Sequence, residues 1–166
     1  VLPNNKNIIM AANQATENSE DIKMIVVPTV SIPQGIAAML AYHTDGVLEE
    51  VAEEMQDSRS DVITGEITTA TRTVEIEGVA VQEGQVIGIV DGKLRVAGDK
   101  IETVIQRLLE SIDLEDYELV TLYYGDDIDL VSVNRIAGML REQFEDVAFE
   151  TVSGGQPYYH YILGIE

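Results

Sequence analysis

The sequence predicts an α/β protein with two lobes: a remnant β-α-β lobe followed by a mixed-sheet lobe with two helices. The first 57 residues place one short apolar run between stretches with helical spacing of apolar residues. From residue 62 onward, segments of strand length rich in Val, Ile and Thr alternate with two helical patterns. The polar residues 58–61 separate these two textures, so we expect lobes at residues 1–57 and 61–166.

The first lobe is expected to contain one β-α-β crossover and two further helices. A strand ending at Leu2 precedes a helix over about residues 5–18, and the apolar run at residues 22–28 is typical of a buried parallel strand. Ser31 is expected to cap the next helix, whose first turn accommodates Pro33. Apolar residues at positions 47, 48, 51 and 55, with acidic residues between them, predict a third helix.

The second lobe reads as strands around two amphipathic helices. Residues 62–78 predict one long or two short strands. Residues 86–90 and 94–97 flank Asp91-Gly92, which predicts a tight hairpin turn. A helix over residues 101–112, capped by Asp99, is followed by a strand at 119–124 and a helix at 133–144. Residues 147–152 and 158–165 are expected to close the sheet, with both helices on one face.

Composition excludes several classes of protein. The 166 residues are 45% hydrophobic and include no cysteine, so disulfides, thiol nucleophiles and thiolate metal sites are ruled out. A cysteine-free chain suits a reducing compartment, and we expect a cytoplasmic protein without membrane insertion, because no apolar run has the length of a membrane span. The chain begins at Val1 rather than Met, and Leu2-Pro3 resembles the end of a strand. We therefore expect a fragment of a larger protein whose first lobe is truncated.

The formal net charge is −20, from 30 acidic and 10 basic residues. This field repels nucleic acid phosphates and anionic lipid surfaces, so no nucleic acid partner is expected. Solubility alone accounts for such a charge. The alternative interpretation is attraction to the basic face of a protein partner.

No catalytic motif is visible in the chain. It has no P-loop, no dinucleotide fingerprint and no nucleophile elbow. His43 and His160 lack metal-ligand spacing, and packing is the expected role of both. Asp126, Asp127 and Asp129 follow a strand where magnesium ligands are often found, but capping of the next helix by Asp129 is the favoured interpretation. We predict no catalytic residue, metal ligand or cofactor within these residues.

Two groups of residues are candidates for contact with a ligand or a partner. One group lies after strands at helix N-termini, where backbone N–H groups suit a carboxylate or phosphate. The other joins the last strands through a glycine-rich turn. Ordinary capping and turn formation remain the alternative for both. The candidates are Asn4, Asn5, Asn7, Thr29, Ser31, Gln34, Gly35, Tyr124, Gly125, Gly154, Gly155 and Gln156.

Six strings, taken in order, carry a family resemblance. They are LPNNKN at residues 2–7, VPT at 27–29, SIPQG at 31–35, TGEIT at 64–68, TLYYG at 121–125 and GGQP at 154–157. Together they resemble the C-terminal domain of FakA, the ATP-binding kinase subunit of bacterial fatty acid kinases. Such proteins are also described as YloV-type or dihydroxyacetone kinase-like. The resemblance extends over essentially the whole chain.

The resemblance implies a DegV-like fold within a multidomain parent that is itself a kinase. The parent's N-terminal domain holds Mg-ATP through clustered aspartates, and no such string occurs here. The resemblance therefore implies no activity and no cofactor for this fragment alone. It further implies a fatty-acid-binding carrier subunit of the FakB or DegV-like type as partner, and a homodimeric parent.

Three functions follow as hypotheses. In the first, the domain docks the carrier so that the parent can phosphorylate the bound fatty acid, a step of lipid metabolism that feeds phospholipid synthesis. In the second, it is a DegV-like domain that itself binds a small acid or lipid. The third, a self-sufficient kinase, is the least favoured because no phosphate cradle is visible.

Overall fold

The computed structural model describes residues 1–76 and 78–166. The chain divides into two compact units, a first unit from Val1 to Val62 and a second unit from Ile63 to Glu166. The texture change at residues 58–61 falls at the end of a helix that continues through Ser60.

The first unit consists of three helices and an extended segment. The helices are α1 (Ile9–Glu17), α2 (Ile32–Leu40) and α3 (Leu48–Ser60). Helices α2 and α3 pack together, and the small core contains Val27, Ala38, Val51 and Met55. Helix α1 buries none of its residues and starts later than predicted. The reason is a turn before it, in which the Asn5 Oδ1 accepts a hydrogen bond from the Asn7 N–H at 2.9 Å.

The predicted strand at residues 22–28 is wrong as an element of secondary structure. The segment is extended, but it has only Val1 as a backbone neighbour. The Val1 amino group donates to the Ile25 carbonyl at 2.7 Å, and the Val27 N–H donates to the Val1 carbonyl at 3.0 Å. These two bonds have the pattern of a parallel pair, so the order of the predicted crossover is present although its strands are not.

The second unit is built on a six-stranded mixed sheet. Its strands are β1 (Ile63–Thr69), β4 (Val86–Val90), β5 (Lys93–Gly98), β6 (Leu119–Tyr124), β7 (Ala148–Ser153) and β8 (Tyr159–Ile165). Their order across the sheet is β5-β4-β1-β8-β6-β7, and only the β6–β7 pair is parallel. Strands β2 (Val74–Ile76) and β3 (Val79–Val81) form a separate antiparallel pair.

Helices α4 (Ile101–Glu110) and α5 (Leu130–Gln143) contribute to one core with this sheet. Leu108 of α4 and Leu140 of α5 are fully buried with the strand residues Ile67, Leu122 and Leu163. The strand residues that the helices cover alternate along each strand, as one buried face of a sheet requires. The prediction of a mixed sheet with two helices is confirmed.

Local signals in the second unit had mixed outcomes. Asp91 and Gly92 have φ of 48° and 77°, the signs that the predicted tight hairpin turn needs. Asp129 caps α5 as predicted, whereas the predicted Asp99 cap is wrong. The N-cap of α4 is Lys100, and Asp99 instead accepts a hydrogen bond from the Gln85 side chain at 3.0 Å. Strand β3 was not predicted.

Candidate functional site

In the first unit, a cluster of polar residues joins the start of the chain to the N-terminus of α2. Asn4 has φ of 53°, a left-handed conformation that asparagine tolerates. Its Oδ1 accepts a hydrogen bond from the Thr29 hydroxyl at 2.7 Å, and its N–H donates to the same hydroxyl oxygen at 3.0 Å. Thr29 is fully buried, so this pair satisfies a polar group inside the unit.

The other side of this cluster is the first turn of α2. The Ser31 hydroxyl accepts a hydrogen bond from the Gln34 N–H at 3.4 Å, and the Gln34 Oε1 accepts one from the Val30 N–H at 3.0 Å. A methyl group at Gly35 would overlap the Asn4 side-chain amide, so glycine lets Asn4 lie against the helix. The structure therefore brings together Asn4, Thr29, Ser31, Gln34 and Gly35.

Asn5 and Asn7 do not join that cluster. Both are exposed, and their mutual hydrogen bond closes the turn before α1. Of the polar residues predicted around this helix N-terminus, these two act on the local backbone alone in the described structure.

In the second unit, the predicted residues meet where β6 ends beside the residue 154–158 turn, which joins β7 to β8. The N–H groups of Gly154 and Gly155 both donate to the Tyr124 carbonyl, at 3.0 and 3.2 Å. The Gln156 side-chain amide donates to the Tyr123 carbonyl at 2.8 Å and to the Tyr159 carbonyl at 3.4 Å. Gly155 has φ of 61°, which suits glycine.

Gly125 completes this arrangement from the β6 side. Its N–H donates to the His160 carbonyl at 2.9 Å, and the next N–H, of Asp126, donates to the Gln156 carbonyl at 3.3 Å. A methyl group at Gly125 would overlap the Tyr159 carbonyl oxygen, so only glycine allows the two backbones to come this close. Tyr124, Gly125, Gly154, Gly155 and Gln156 thus interlock two loops.

A hydrogen-bonded chain of three side chains lies beside the turn. The Thr69 hydroxyl contacts His160 Nε2 at 2.8 Å, and His160 Nδ1 contacts the Asp127 carboxylate at 2.5 Å. Hydroxyl, imidazole and carboxylate follow one another as in nucleophilic hydrolases. Here the chain links the ends of β1 and β8 to the loop after β6. His160 therefore does more than pack between tyrosines.

The position of His160 depends on a β-bulge. The pairing of β1 with β8 shifts register between Ile67 and Thr68, which lie opposite Tyr161 and Tyr159. His160 is the extra residue, and such an irregularity re-aims a side chain. Regular alternation in the sequence does not reveal it.

Tyr158, in the same turn, was not singled out by the sequence. Its side chain is 88% exposed, and its φ is 71°. The Tyr158 carbonyl accepts a hydrogen bond from the Thr68 hydroxyl at 2.6 Å.

Two concave apolar surfaces lie outside these clusters. One, in the second unit, is a cavity of about 330 Å³ between β2–β3 and the hairpin β4–β5, with Arg72 and Lys93 in its lining. Its apolar lining consists chiefly of Val74, Ile76, Val81, Ile87, Ile89 and Leu94. The other, in the first unit, is a groove of about 440 Å³ lined by Val1, Leu2, Ile25, Val27, Met39, Tyr42, Leu48, Val51, Ala52 and Met55.

Electrostatic shifts are concentrated in the second unit. Burial raises the pKa of Tyr161 to about 12. The Tyr161 hydroxyl is buried and lacks a hydrogen-bond partner among the described residues. Hydrogen bonds from the Ser132 N–H and hydroxyl, then from the Val131 N–H, lower the pKa of Asp129 at the start of α5.

Metal and membrane sites were searched over residues 1–76 and 78–166. Within them, no group of three or more His, Cys, Asp or Glu side chains is arranged to hold a metal ion. None of the helices in the same residues has the length and apolar character needed to cross a membrane.

Comparison with known proteins places the whole chain in one family and one fold. Residues 1–166 match the family of FakA-like C-terminal domains, from fatty acid kinases. An uncharacterized protein from Staphylococcus aureus strain USA300 is 37% identical over 166 residues, and one from strain MRSA252 is 36% identical. The chain spans 30% of the length of these curated relatives.

Solved structures similar to this chain are DegV-family proteins. A DegV lipid-binding protein from Thermotoga maritima superposes with a TM-score of 0.65 at 16% identity, over 100% of this chain and 67% of its own. A DegV-family protein from Corynebacterium glutamicum gives 0.61 at 18% identity, over 94% and 68%. The fatty acid kinase B3 protein from Streptococcus pneumoniae, loaded with linoleic acid, gives 0.59 at 12% identity, over 95% and 64%. The fold is therefore of the DegV type.

Proposed function

Because the chain belongs to the family of FakA-like C-terminal domains, we propose that it docks a DegV-like, fatty-acid-carrying protein for its parent kinase. In this proposal the parent phosphorylates the fatty acid that the carrier holds, and the Mg-ATP site lies in another part of the parent. The chain spans 30% of the length of its curated relatives, which leaves room for such a part.

The observation that carries the proposal is the use made of the polar residues at both clusters. Thr29 holds Asn4, Gln34 holds the backbone before α2, and Gln156 holds the ends of β6 and β8. These side chains stabilise rigid loops, and rigid loops suit a preorganised protein-binding surface. The net charge of −20 adds long-range attraction to a partner with a basic face.

Titration calorimetry tests the docking directly. The purified chain is titrated with a DegV-type carrier loaded with oleate, and we expect saturable one-to-one binding that weakens as salt is added. Hen lysozyme serves as a basic control, because attraction to net charge alone would give heat with it as well. Absence of heat and of co-elution with the carrier at low salt would contradict the proposal.

A deletion in the parent separates docking from nucleotide chemistry. The parent protein without residues 1–166 is expected to bind ATP as before but to lose phosphorylation of carrier-bound fatty acid. Loss of ATP binding in this deletion would place nucleotide contacts inside the domain and would contradict the division of labour.

A second candidate function is the binding of a small amphipathic acid in the cavity that contains Arg72 and Lys93. Among the described residues that line this cavity, none carries a carboxylate, although the chain has 30 acidic residues. Neither cation forms an ion pair with any described residue. An aliphatic body would fit the apolar lining, and its carboxylate or phosphate would meet the two cations.

Thermal shift with decanoate tests this second function. Stabilisation is expected for the wild type and should be lost in the Arg72→Ala, Lys93→Ala double variant. Arg95→Ala is the control, because it removes a cation from the same hairpin that does not line the cavity. An equal response from wild type and double variant would remove this candidate.

A further inference from the structure

Tyr158 combines high exposure with a fixed backbone. It is 88% exposed, the highest value among the exposed large apolar side chains of the described residues. A large aromatic side chain in water loses the free energy that its burial would supply. Its position at the tip of the 154–158 turn offers that surface to another molecule.

The backbone at Tyr158 is strained. Three described residues other than glycine have positive φ, namely Asn4, Asp91 and Tyr158. Asparagine and aspartate adopt this conformation readily, whereas tyrosine does not. Such a conformation persists only where the surrounding structure holds it, and it is often found at ligand clamps and functional sites.

Side chains on both flanks of Tyr158 hold it in this conformation. The Thr68 hydroxyl donates to its carbonyl, and Gln156 bonds the backbone on either side of the turn. Two residues later, His160 lies between Thr69 and Asp127. The direction in which the Tyr158 ring projects is therefore set before any partner arrives.

The loop beside this turn is acidic. It carries Asp126, Asp127 and Asp129, and the Asp126 N–H bonds the Gln156 carbonyl at 3.3 Å. A complementary surface would offer an apolar pocket for the ring and Lys or Arg side chains around it.

We propose that Tyr158 is the anchor residue of the surface that docks the carrier, inserting its ring into an apolar pocket with a basic rim. This inference rests on the proposed docking function and adds the residue and the chemistry of the complementary site. An aromatic anchor on a rigid turn, surrounded by polar contacts, has the features of an interface hot spot.

The decisive variant is Tyr158→Gly, because strain and contact predict opposite effects. Glycine accepts positive φ, so the midpoint of urea unfolding should rise. The same change removes the anchor, so the affinity for the oleate-loaded carrier should fall by about 10- to 30-fold. Tyr158→Ala should weaken binding equally without the gain in stability.

Matched variants sharpen the result. Tyr42→Ala removes an exposed tyrosine from the first unit and should leave affinity unchanged. Asp126→Asn should weaken binding mainly at low salt.

The outcomes distinguish the inference from the function on which it rests. Wild-type affinity in both Tyr158→Gly and Tyr158→Ala would overturn the anchor role while docking stands. No binding by the wild type would remove the docking function itself. A lower unfolding midpoint in Tyr158→Gly would overturn the strain argument and the inference with it.

Discussion

The two units of the chain differ in how much of their apolar surface they bury. The first unit buries four apolar residues in its core, whereas the core of the second unit contains seventeen. Met39, Leu40 and Leu48 of helices α2 and α3 are exposed. Since burial of apolar surface is the main stabilising term, most of the folding free energy must reside in the second unit.

Backbone hydrogen bonding differs in the same way. The extended segment of the first unit bonds only Val1 on its parallel side, while β1 and β8 of the second unit pair on both edges. One chain therefore contains a self-sufficient sheet domain and a helical unit whose apolar groove remains open. Four measurements can test this difference.

The largest expected effect is the loss of a side chain from the core of the second unit. Leu108 is fully buried between α4 and the sheet. Leu108→Ala should lower the free energy of unfolding by about 3 kcal/mol, from lost burial and the cavity left behind. Met55→Ala, in the small core of the first unit, should cost about 1 kcal/mol in the same urea titration, because surrounding helices can close up. Equal losses would contradict the comparison.

The next effect concerns the interlocked loops of the second unit. Gly125→Ala places a methyl group against the Tyr159 carbonyl, and we expect a loss of about 2 kcal/mol measured by thermal unfolding. Gly138→Ala, in helix α5, is the control. A methyl group there meets nothing, and alanine should stabilise the helix by up to about 1 kcal/mol. Effects of the same sign would show that the two loops do not hold each other as described.

A smaller gain is expected at Tyr161. Its buried hydroxyl lacks a partner among the described residues, so Tyr161→Phe removes an unsatisfied polar group from the core. We expect stability to rise by about 1 kcal/mol in urea unfolding. A loss of stability would reveal a hydrogen bond to this hydroxyl in solution.

The smallest effect is a pH dependence at the two capped helices. The pKa of Asp129 is lowered in the folded state, so its contribution is present above its ordinary pKa and is lost as the pH falls through the lower folded value. The stability difference between wild type and Asp129→Asn should therefore shrink as the pH drops below about 4. Ser31→Ala, which removes the cap of α2 in the first unit, should show no such pH dependence. Parallel urea titrations at several pH values measure both.

Sequence reasoning succeeded where neighbouring residues decide the structure. The helix over residues 101–112 and its partner at 133–144 follow from apolar spacing, and the hairpin follows from Asp91-Gly92. It failed at residues 22–28, where an apolar run of strand composition has only Val1 beside it. Asp99 failed as a cap because the Gln85 side chain, distant in sequence, holds its carboxylate.

The sequence by itself determined the α/β class, most helices and strands of the second unit, and the residues that would gather around two turns. Only the tertiary structure decided that Asn5 and Asn7 stand apart from Asn4, that a bulge turns His160 toward Thr69 and Asp127, and that Tyr158 is held exposed at positive φ. The physical reason is range. Periodicity and capping depend on residues within about four positions along a helix, whereas the hydrogen bonds from Thr68 and Thr69 join residues about ninety positions apart.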